Sequence, residues 1–215
     1  MTRPEGDLAG PGPCGPPEPR AEPEAGPDVR TRLLEAAYRC IAERGIGATS
    51  LEEVARGAGV SRATLYRYFP GGRDELVAAV VTNETLRFFQ RLAEAVEGAR
   101  DVESLLVDGI HFAHLAIEGH ALLQRLLGTE PERLLPHLSL EAAWVLGLIT
   151  AFFEDRLSGY ELAEGVAVPE AAEYVARLTL SFIEAPGGWD LADREQVREL
   201  VRSELLAGLQ RRPQR

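Results

Sequence analysis

Polar and aromatic side chains that could contact DNA crowd into one short stretch of this 215-residue chain. Arg62 is long enough to form two hydrogen bonds with a guanine edge, and the methyl group of Thr64 could contact that of thymine. Neighbouring hydroxyl and guanidinium groups could hold backbone phosphates. The candidate contacts in this stretch are Ser61, Arg62, Ala63, Thr64, Tyr66, Arg67 and Tyr68.

The segment from Leu51 to Phe69, LEEVARGAGVSRATLYRYF, has the residue types that would present these side chains on a helix-turn-helix. Ala55 is small enough for two helices to cross at close range, and Gly59 tolerates the positive φ of a turn. Ser61 predicts an N-cap for the second helix, whose positive end would then face phosphates. The apolar residues expected to lock the two helices together are Leu51, Val54, Ala58, Val60 and Leu65.

Flanking signals predict further helices and no strands. Apolar residues at three-and-four spacing predict a first helix from Asp28 to the glycine at position 45. Ser50, with Glu53 three residues later, predicts a capping box that opens the next helix. Later helices are predicted over about 73–97, 101–118, 120–128, 138–158, 168–185 and 193–210, with breaks at glycines and at Pro131 and Pro136. Because no stretch has the two-residue period of a strand, the predicted fold class is all-α.

Charge is divided unevenly along the chain, whose formal net charge is −11. Residues 1–27 carry a net −3 and are rich in Pro and Gly, so we expect a disordered tail that does not clamp DNA. Residues 28–75 carry eight Arg and seven acidic residues, a net of +1, and the remainder carries a net of −9. Only the middle segment could approach phosphates without strong repulsion.

The stretch GIGATSLEEVARGAGVSRATLYRYFPGGRDEL resembles the N-terminal domain of TetR-family repressors, and the resemblance extends from Val29 to Val81. It implies a three-helix DNA-binding domain over residues 28–75, after the tail of residues 1–27. It also implies that residues 76–215 form a helical domain for ligand binding and dimerisation. Such a protein binds a pseudo-palindromic operator as a homodimer and is released from it by a small molecule.

The resemblance also implies which residues contact phosphates. They are Thr49, Tyr66, Tyr68 and a basic residue that follows the turn. The family spacing F-x-x-K-x-x-L is longer here by one residue and has Arg in place of Lys, and we assign the basic contact to Arg73. Ser50 completes the predicted DNA-binding set.

The dimer interface of the family is built from its last two long helices, which correspond here to residues 168–185 and 193–210. Apolar stripes on these helices are assigned to that interface, with the core of a single chain as the alternative. The stripes consist of Leu178, Phe182, Ile183, Val197, Leu200, Val201, Leu205 and Leu209.

A mostly apolar effector is predicted, because the middle helices offer aromatic and aliphatic side chains but few basic ones. The predicted ligand-binding residues are His111, Phe112, His114, Leu115, Arg125, Trp144, Leu148, Phe152 and Tyr174. His111, His114 and Glu118 share about one quarter of a helix surface. They could line the pocket, hold a metal ion with further ligands, or face solvent, and no metal is included in the prediction.

The sequence favours a regulator over an enzyme. It has no Gly-rich phosphate loop, nucleophile elbow or zinc signature, so we predict no catalytic residue and no cofactor. A DNA-binding protein controlled by a partner protein, or acting constitutively, is an alternative, and so is an activator. Because no apolar run could cross a bilayer and no signal peptide is recognisable, a cytoplasmic location without membrane contact is expected.

Overall fold

The computed structural model describes residues 28–140 and 142–210, so the predicted tail over residues 1–27 lies outside the described range. Regular structure within that range is helical, which confirms the all-α prediction. The helices are α1 (Val29–Arg44), α2 (Leu51–Gly57), α3 (Arg62–Tyr68), α4 (Arg73–Val96), α5 (Val102–Glu118), α6 (Ala121–Thr129), α7 (Pro131–Leu140), α8 (Ala142–Leu157), α9 (Val168–Glu184), α10 (Arg194–Leu200) and α11 (Leu206–Gln210), with a π-helical turn at Val201–Leu205.

Helices α1 to α3, the N-terminal unit, share one apolar core. α1 ends at Gly45, whose φ of +88° turns the chain out of the helix. Its buried face packs with Val54 of α2 and Leu65 of α3, both fully shielded from solvent. The same cluster continues into α4, α6 and α7 through Leu76, Leu126 and Leu134. The N-terminal unit therefore depends on later helices to complete its core.

Helices α5, α8, α9 and α10 enclose a second apolar core. The last helical stretch fills it with Val197, Leu200, Val201, Leu205 and Leu209. Assigning these five residues to a dimer interface is therefore wrong, because each is buried within the single chain. Leu178, Phe182 and Ile183 of α9 are half-buried against the same core, so their stripe is also used within the chain.

One predicted cap and one predicted break differ from the structure, although α2 does begin directly after Ser50 as predicted. Ser50 precedes α2, but its side chain makes no capping hydrogen bond. Glu53 forms an ion pair with Arg44 at the end of α1 instead. The predicted break at Pro131 and Pro136 is occupied by α7. Pro131 opens this helix, where the amide that proline lacks is not needed.

Helix α5 crosses the C-terminal core and begins with a capping box. The Asp101 carboxylate accepts the amide hydrogen of Ser104 over 2.7 Å, and the Ser104 hydroxyl accepts that of Asp101 over 3.2 Å. The Ser104 hydroxyl also donates to the carboxylate over 2.7 Å. The bonds that the Ser104 amide and hydroxyl donate stabilise the ionised carboxylate and lower the pKa of Asp101.

We expect Asp101→Ala to lower the free energy of unfolding by about 1 kcal/mol, because the first turn of α5 loses its cap. The contribution of the carboxylate is complete above the ordinary Asp pKa of about 3.9 and is lost as the pH falls through the lowered folded-state pKa. Urea unfolding at neutral and acidic pH measures both effects. Asp101→Asn keeps a capping oxygen and should retain most of the stability at neutral pH, so equal losses for Asn and Ala would contradict the capping explanation.

Candidate functional site

Helices α2 and α3 form the helix-turn-helix that the residue pattern predicts. Gly59 has a φ of +67° in the turn between them, which a residue with a Cβ rarely adopts. Ala55 and Ala58 are buried where the helices approach each other, and Leu65 is fully buried beneath α3. α3 therefore rests on one face and presents the rest of its surface outward, as a helix that enters a DNA groove must.

The first turn of α3 is fixed by its predicted cap. Oγ of Ser61 accepts the amide hydrogen of Thr64 over 3.1 Å and lies 3.0 Å from the Thr64 hydroxyl. Ala63 is exposed and Thr64 is half-buried. The small side chains at this end leave room for a groove edge to approach the helix.

The outer surface of α3 carries two arginine–tyrosine pairs. The guanidinium carbon of Arg62 lies 5.5 Å from the ring centre of Tyr66, and that of Arg67 lies 5.6 Å from the ring centre of Tyr68. Nη2 of Arg62 donates to the Tyr66 hydroxyl over 3.4 Å, and this contact raises the pKa of Arg62. The rings thus hold both charged groups at the surface of the helix.

A polar crevice of about 420 Å³ lies where the starts of α2 and α4 meet the outer surface of α3. Its walls are Ser50, Leu51, Glu52, Arg62, Tyr66, Arg73 and Asp74. Nη1 of Arg73 donates to the carbonyl oxygen of Gly47 over 3.1 Å. Despite the extra residue in its spacing, Arg73 therefore shares this crevice with Arg62 and Tyr66. Guanidinium and hydroxyl groups of this kind bind phosphate oxygens.

Thr49 differs from the other predicted DNA contacts because only 1% of its surface is exposed. Its hydroxyl donates to the carbonyl oxygen of Gly45 over 2.7 Å. A buried hydroxyl with its own acceptor does not fit the predicted phosphate contact of Thr49. Thr49 holds the α1–α2 loop from inside, because its hydroxyl hydrogen already has a buried acceptor.

Residues 28–75, which comprise the N-terminal unit and the start of α4, keep most of their arginines free of ion pairs. Among the eight Arg of residues 28–75, ion pairs form at Arg44 with Glu53 and at Arg56 with Glu52. The other six arginines have no carboxylate within ion-pair distance in the described part of the chain. They are Arg30, Arg32, Arg39, Arg62, Arg67 and Arg73. Phosphates can therefore approach these guanidinium groups without displacing an internal carboxylate.

A mostly apolar cavity of about 320 Å³ lies between the N-terminal unit and the C-terminal helices. Tyr38 and Ile41 of α1 line one part of it, and Phe153 of α8 and Ile183 of α9 line another. Helices α4, α5, α6 and α7 complete the walls. The residues with polar groups other than Tyr38 are Glu84, Thr85, Arg91, His120 and Thr179.

Thr179 has a buried hydroxyl without a hydrogen-bond partner among the described residues. Other threonines within helices donate to the carbonyl oxygen four residues earlier, namely Thr82, Thr85, Thr129 and Thr150. An unmade bond of this kind costs about 1–3 kcal/mol. A ligand with a polar atom at this wall could supply the missing partner after a rotation about χ1.

Residues 33–80 match the family model of bacterial regulatory proteins of the tetR family. Over 174 residues the chain is 30% identical to an uncharacterised HTH-type transcriptional regulator of Mycobacterium tuberculosis. That alignment covers 79% of this chain and 82% of the relative. The chain belongs to the TetR family. It is therefore assigned by family to DNA-binding transcription regulators rather than to enzymes.

Solved structures of TetR-family repressors have the same fold. AlkX from Dietzia sp., which is implicated in biodegradation of n-alkanes, superimposes with a TM-score of 0.61 at 24% identity, over 86% of this chain and 98% of AlkX. QsdR from R. erythropolis superimposes with a TM-score of 0.57 at 22% identity, over 87% of this chain and 98% of QsdR. At these identities the likeness concerns the arrangement of helices.

The cavity of this TetR-family regulator is lined by one of the nine predicted ligand-binding residues, Phe152. Phe112 packs behind the wall against Phe88, with ring centres 6.0 Å apart. Four more of the predicted residues also lie outside the cavity walls: His114, Leu115, Trp144 and Leu148. Leu115 and Trp144 are exposed, by 47% and 37% of their surface.

The remaining three predicted ligand contacts hold the fold together. Nδ1 of His111 donates to the Leu191 carbonyl oxygen over 3.1 Å, and the Tyr174 hydroxyl donates to that of Glu204 over 2.9 Å. Arg125 donates through Nη2 to the carbonyl oxygen of Ile41 over 2.8 Å. These three polar groups are thus used between elements and not in the cavity.

Sequence reasoning missed the wall that α4 contributes. Phe88, Phe89 and Arg91 line the cavity, together with the earlier positions Val77, Val80, Val81, Glu84 and Thr85. Apolar residues on α4 cover more of its circumference than packing on one neighbour requires, and this was the available signal. The α1 residues Tyr38 and Ile41 carried no such signal, because they also belong to the N-terminal core.

Two negative findings apply to the described part of the chain. No three His, Cys, Asp or Glu side chains in residues 28–140 and 142–210 lie close enough together to hold a metal ion, and this includes His111, His114 and Glu118. None of the helices described is both long and apolar enough to cross a bilayer.

We expect Arg62→Ala to weaken binding to the preferred operator by about 1–3 kcal/mol and to relax the sequence preference at one base pair. Tyr66→Phe should weaken all duplexes similarly, because its hydroxyl would contact phosphate. Selection from random duplexes, followed by anisotropy titrations, measures both quantities. Arg177→Ala, which removes an exposed guanidinium of α9 paired with Glu173, is the matched control. Unchanged preference and affinity in Arg62→Ala would contradict the assigned groove contact.

Proposed function

We propose that this TetR-family regulator is a repressor that binds a pseudo-palindromic operator as a homodimer in the cytoplasm. A mostly apolar small molecule that enters the cavity releases it from DNA. The observation that carries the proposal is the position of the cavity, whose walls come from both the N-terminal unit and the C-terminal helices. A ligand there can favour one relative placement of the two units over another, and only such a difference can change DNA affinity.

The size and lining of the cavity favour a small molecule over control by a partner protein or constitutive binding. Its volume of about 320 Å³ lies at the lower end of the range of ~300–1,000 Å³ that is typical of ligand sites. The walls are mostly aliphatic and aromatic, with a few polar side chains that could orient a ligand. A DNA-binding protein without an effector has no need of such a space in its interior.

Two polar contacts support a route from the cavity to the DNA-binding surface. Oε2 of Glu130, where α6 gives way to α7, accepts the amide hydrogen of Gly47 over 2.8 Å. Arg125 of α6 holds the carbonyl oxygen of Ile41 at the end of α1. Leu126, the next residue, packs in the N-terminal core and also lines the cavity. A ligand that displaces α6 would therefore pull on the α1–α2 loop, in addition to any movement of α4.

One side of α8 supports the homodimer. Trp144 is 37% exposed, Gly147 and Ala151 are exposed, and Leu148 is half-buried. Their spacing places all four on one side of the helix, while Phe153 on the opposite side is buried in the C-terminal core. Both sides of α8 are thus apolar, and an exposed apolar side of this kind is typical of a protein–protein interface. A dimer is also what a two-fold operator requires.

Filling the cavity should uncouple the regulator from its effector. Ala116 of α5 lines the cavity, so Ala116→Phe is expected to block compounds that a thermal-shift screen selects on the wild type. Each selected compound should reduce operator affinity of the wild type about tenfold, which needs ~1.4 kcal/mol of differential binding, and should leave Ala116→Phe on DNA. Ala95→Phe, at an exposed position of α4 away from the cavity, should respond like the wild type. Compounds that bind the cavity tightly but leave the wild-type complex with operator DNA intact would contradict the inducible mechanism.

A charge on α8 should separate the subunits. We expect Trp144→Glu to be monomeric at micromolar concentration in sedimentation equilibrium, since a carboxylate would be buried without a partner in the interface. Its operator affinity should fall about tenfold or more, because two half-sites are then bound independently. Leu86→Glu introduces the same charge at another exposed large apolar residue, on the outer side of α4, and should remain dimeric. A dimeric Trp144→Glu variant would exclude this side of α8 as the interface.

A further inference from the structure

Arg91 is the one arginine whose side chain lines the cavity in the described part of the chain. Most arginines in the described helices after residue 75 form ion pairs, namely Arg87, Arg133, Arg156, Arg177, Arg194, Arg198 and Arg202. Arg125 holds a carbonyl oxygen. Arg91, by contrast, has neither an ion pair nor a hydrogen bond to any described residue, so its guanidinium is available to a ligand.

The surroundings of Arg91 place its charge at the mouth of the cavity. It is exposed, whereas Phe88 is half-buried and Leu92 is 7% exposed. The aliphatic stem therefore follows the apolar wall while the guanidinium stays at the water boundary. Glu84 lies on the same flank of α4, two turns earlier, and is already paired with Arg87 over 3.3 Å. Glu84 is the one acidic residue among the described residues that line the cavity, and its charge is thus balanced by another arginine.

The apolar part of the cavity is long. Lining residues on α4 run from Val77 to Leu92, and fifteen residues at ~1.5 Å each correspond to about 22 Å along the helix. Across from α4, the walls come from α1, α6 and α7 near one end and from α8 and α9 near the other. An elongated chain can follow this direction better than a compact ring system of equal volume.

We infer that the effector is a single-chain amphiphile with a carboxylate head, an inference that rests on the function proposed above. Its aliphatic chain lies in the cavity and its carboxylate pairs with Arg91 at the mouth, where a guanidinium can donate two parallel hydrogen bonds. A single guanidinium balances one negative charge. A head group with two charges would leave an excess in a domain that already carries a net −9. The carboxylate is therefore the head group that fits.

The test compares three probes with the same chain: dodecanoate, dodecanol and dodecyltrimethylammonium, each below its micelle concentration. Binding is measured by calorimetry, and release by anisotropy of the preformed operator complex. Dodecanoate should bind more tightly than the other two and release the wild type from DNA. Arg91→Gln should weaken the binding of dodecanoate about three- to tenfold and leave the affinity for dodecanol within about twofold of the wild type. Arg100→Gln is the control: Arg100 lies in the α4–α5 loop, has no ion pair with a described residue and does not line the cavity, so this variant should match the wild type.

The outcomes separate the inference from the function on which it rests. If dodecanol binds as tightly as dodecanoate, or if Arg91→Gln weakens the binding of both probes alike, the pairing of a carboxylate with Arg91 is overturned. If dodecanol releases the operator complex and dodecanoate does not, the inference falls while the proposed induction stands. If dodecanoate binds with the expected dependence on Arg91 but no cavity occupant releases DNA, the head-group assignment stands and the inducible mechanism falls.

Discussion

The position of the DNA-binding surface depends on the docking of α6 and α7 against the α1–α2 loop. The Glu130 carboxylate holds the Gly47 amide, and the buried side chains of Leu126 and Leu134 close the N-terminal core beside it. Three short helices bury too little surface to be stable alone, so this contact completes their core. The same helices line the cavity, so the stability of the N-terminal unit and the ligand response proposed above depend on one set of contacts.

Close approach at this contact requires glycine in the loop. A Cβ on Gly45 would lie 1.8 Å from Oε1 of Glu130, and the φ of +88° at that position already disfavours other residues. A Cβ on Gly47 would lie 3.0 Å from the Arg133 guanidinium carbon. In the sequence these two glycines indicate only that α1 ends. In the structure they also let a carboxylate from a distant helix reach the backbone.

Local signals predicted the helices and the helix-turn-helix, because helical periodicity, the Gly59 turn and the Ser61 cap act within a few residues of one another. Predictions failed where a distant partner decides the outcome. Glu53 pairs with Arg44 and not with the cap of its own helix. The apolar stripe around Leu200 would suit a dimer interface or a core equally well, and only its packing against α5 distinguishes them. For the same reason the cavity could be expected from the sequence, but most of its walls could not.

The pairing of arginines separates the parts that must stay fixed from the parts that must bind. In the C-terminal helices, pairs such as Arg194 with Asp108 and Arg202 with Glu103 tie α10 and the π-helical turn to α5. In the N-terminal unit, guanidinium groups such as Arg67 have no carboxylate partner and face outward. A protein with a net charge of −11 can therefore still bind phosphates, because 22 of its 34 acidic residues lie after residue 75, outside the DNA-binding segment. Under the proposed induction, an effector that moves α6 need only change the angle at which this small unpaired surface meets the groove, since a dimer must match two half-sites together.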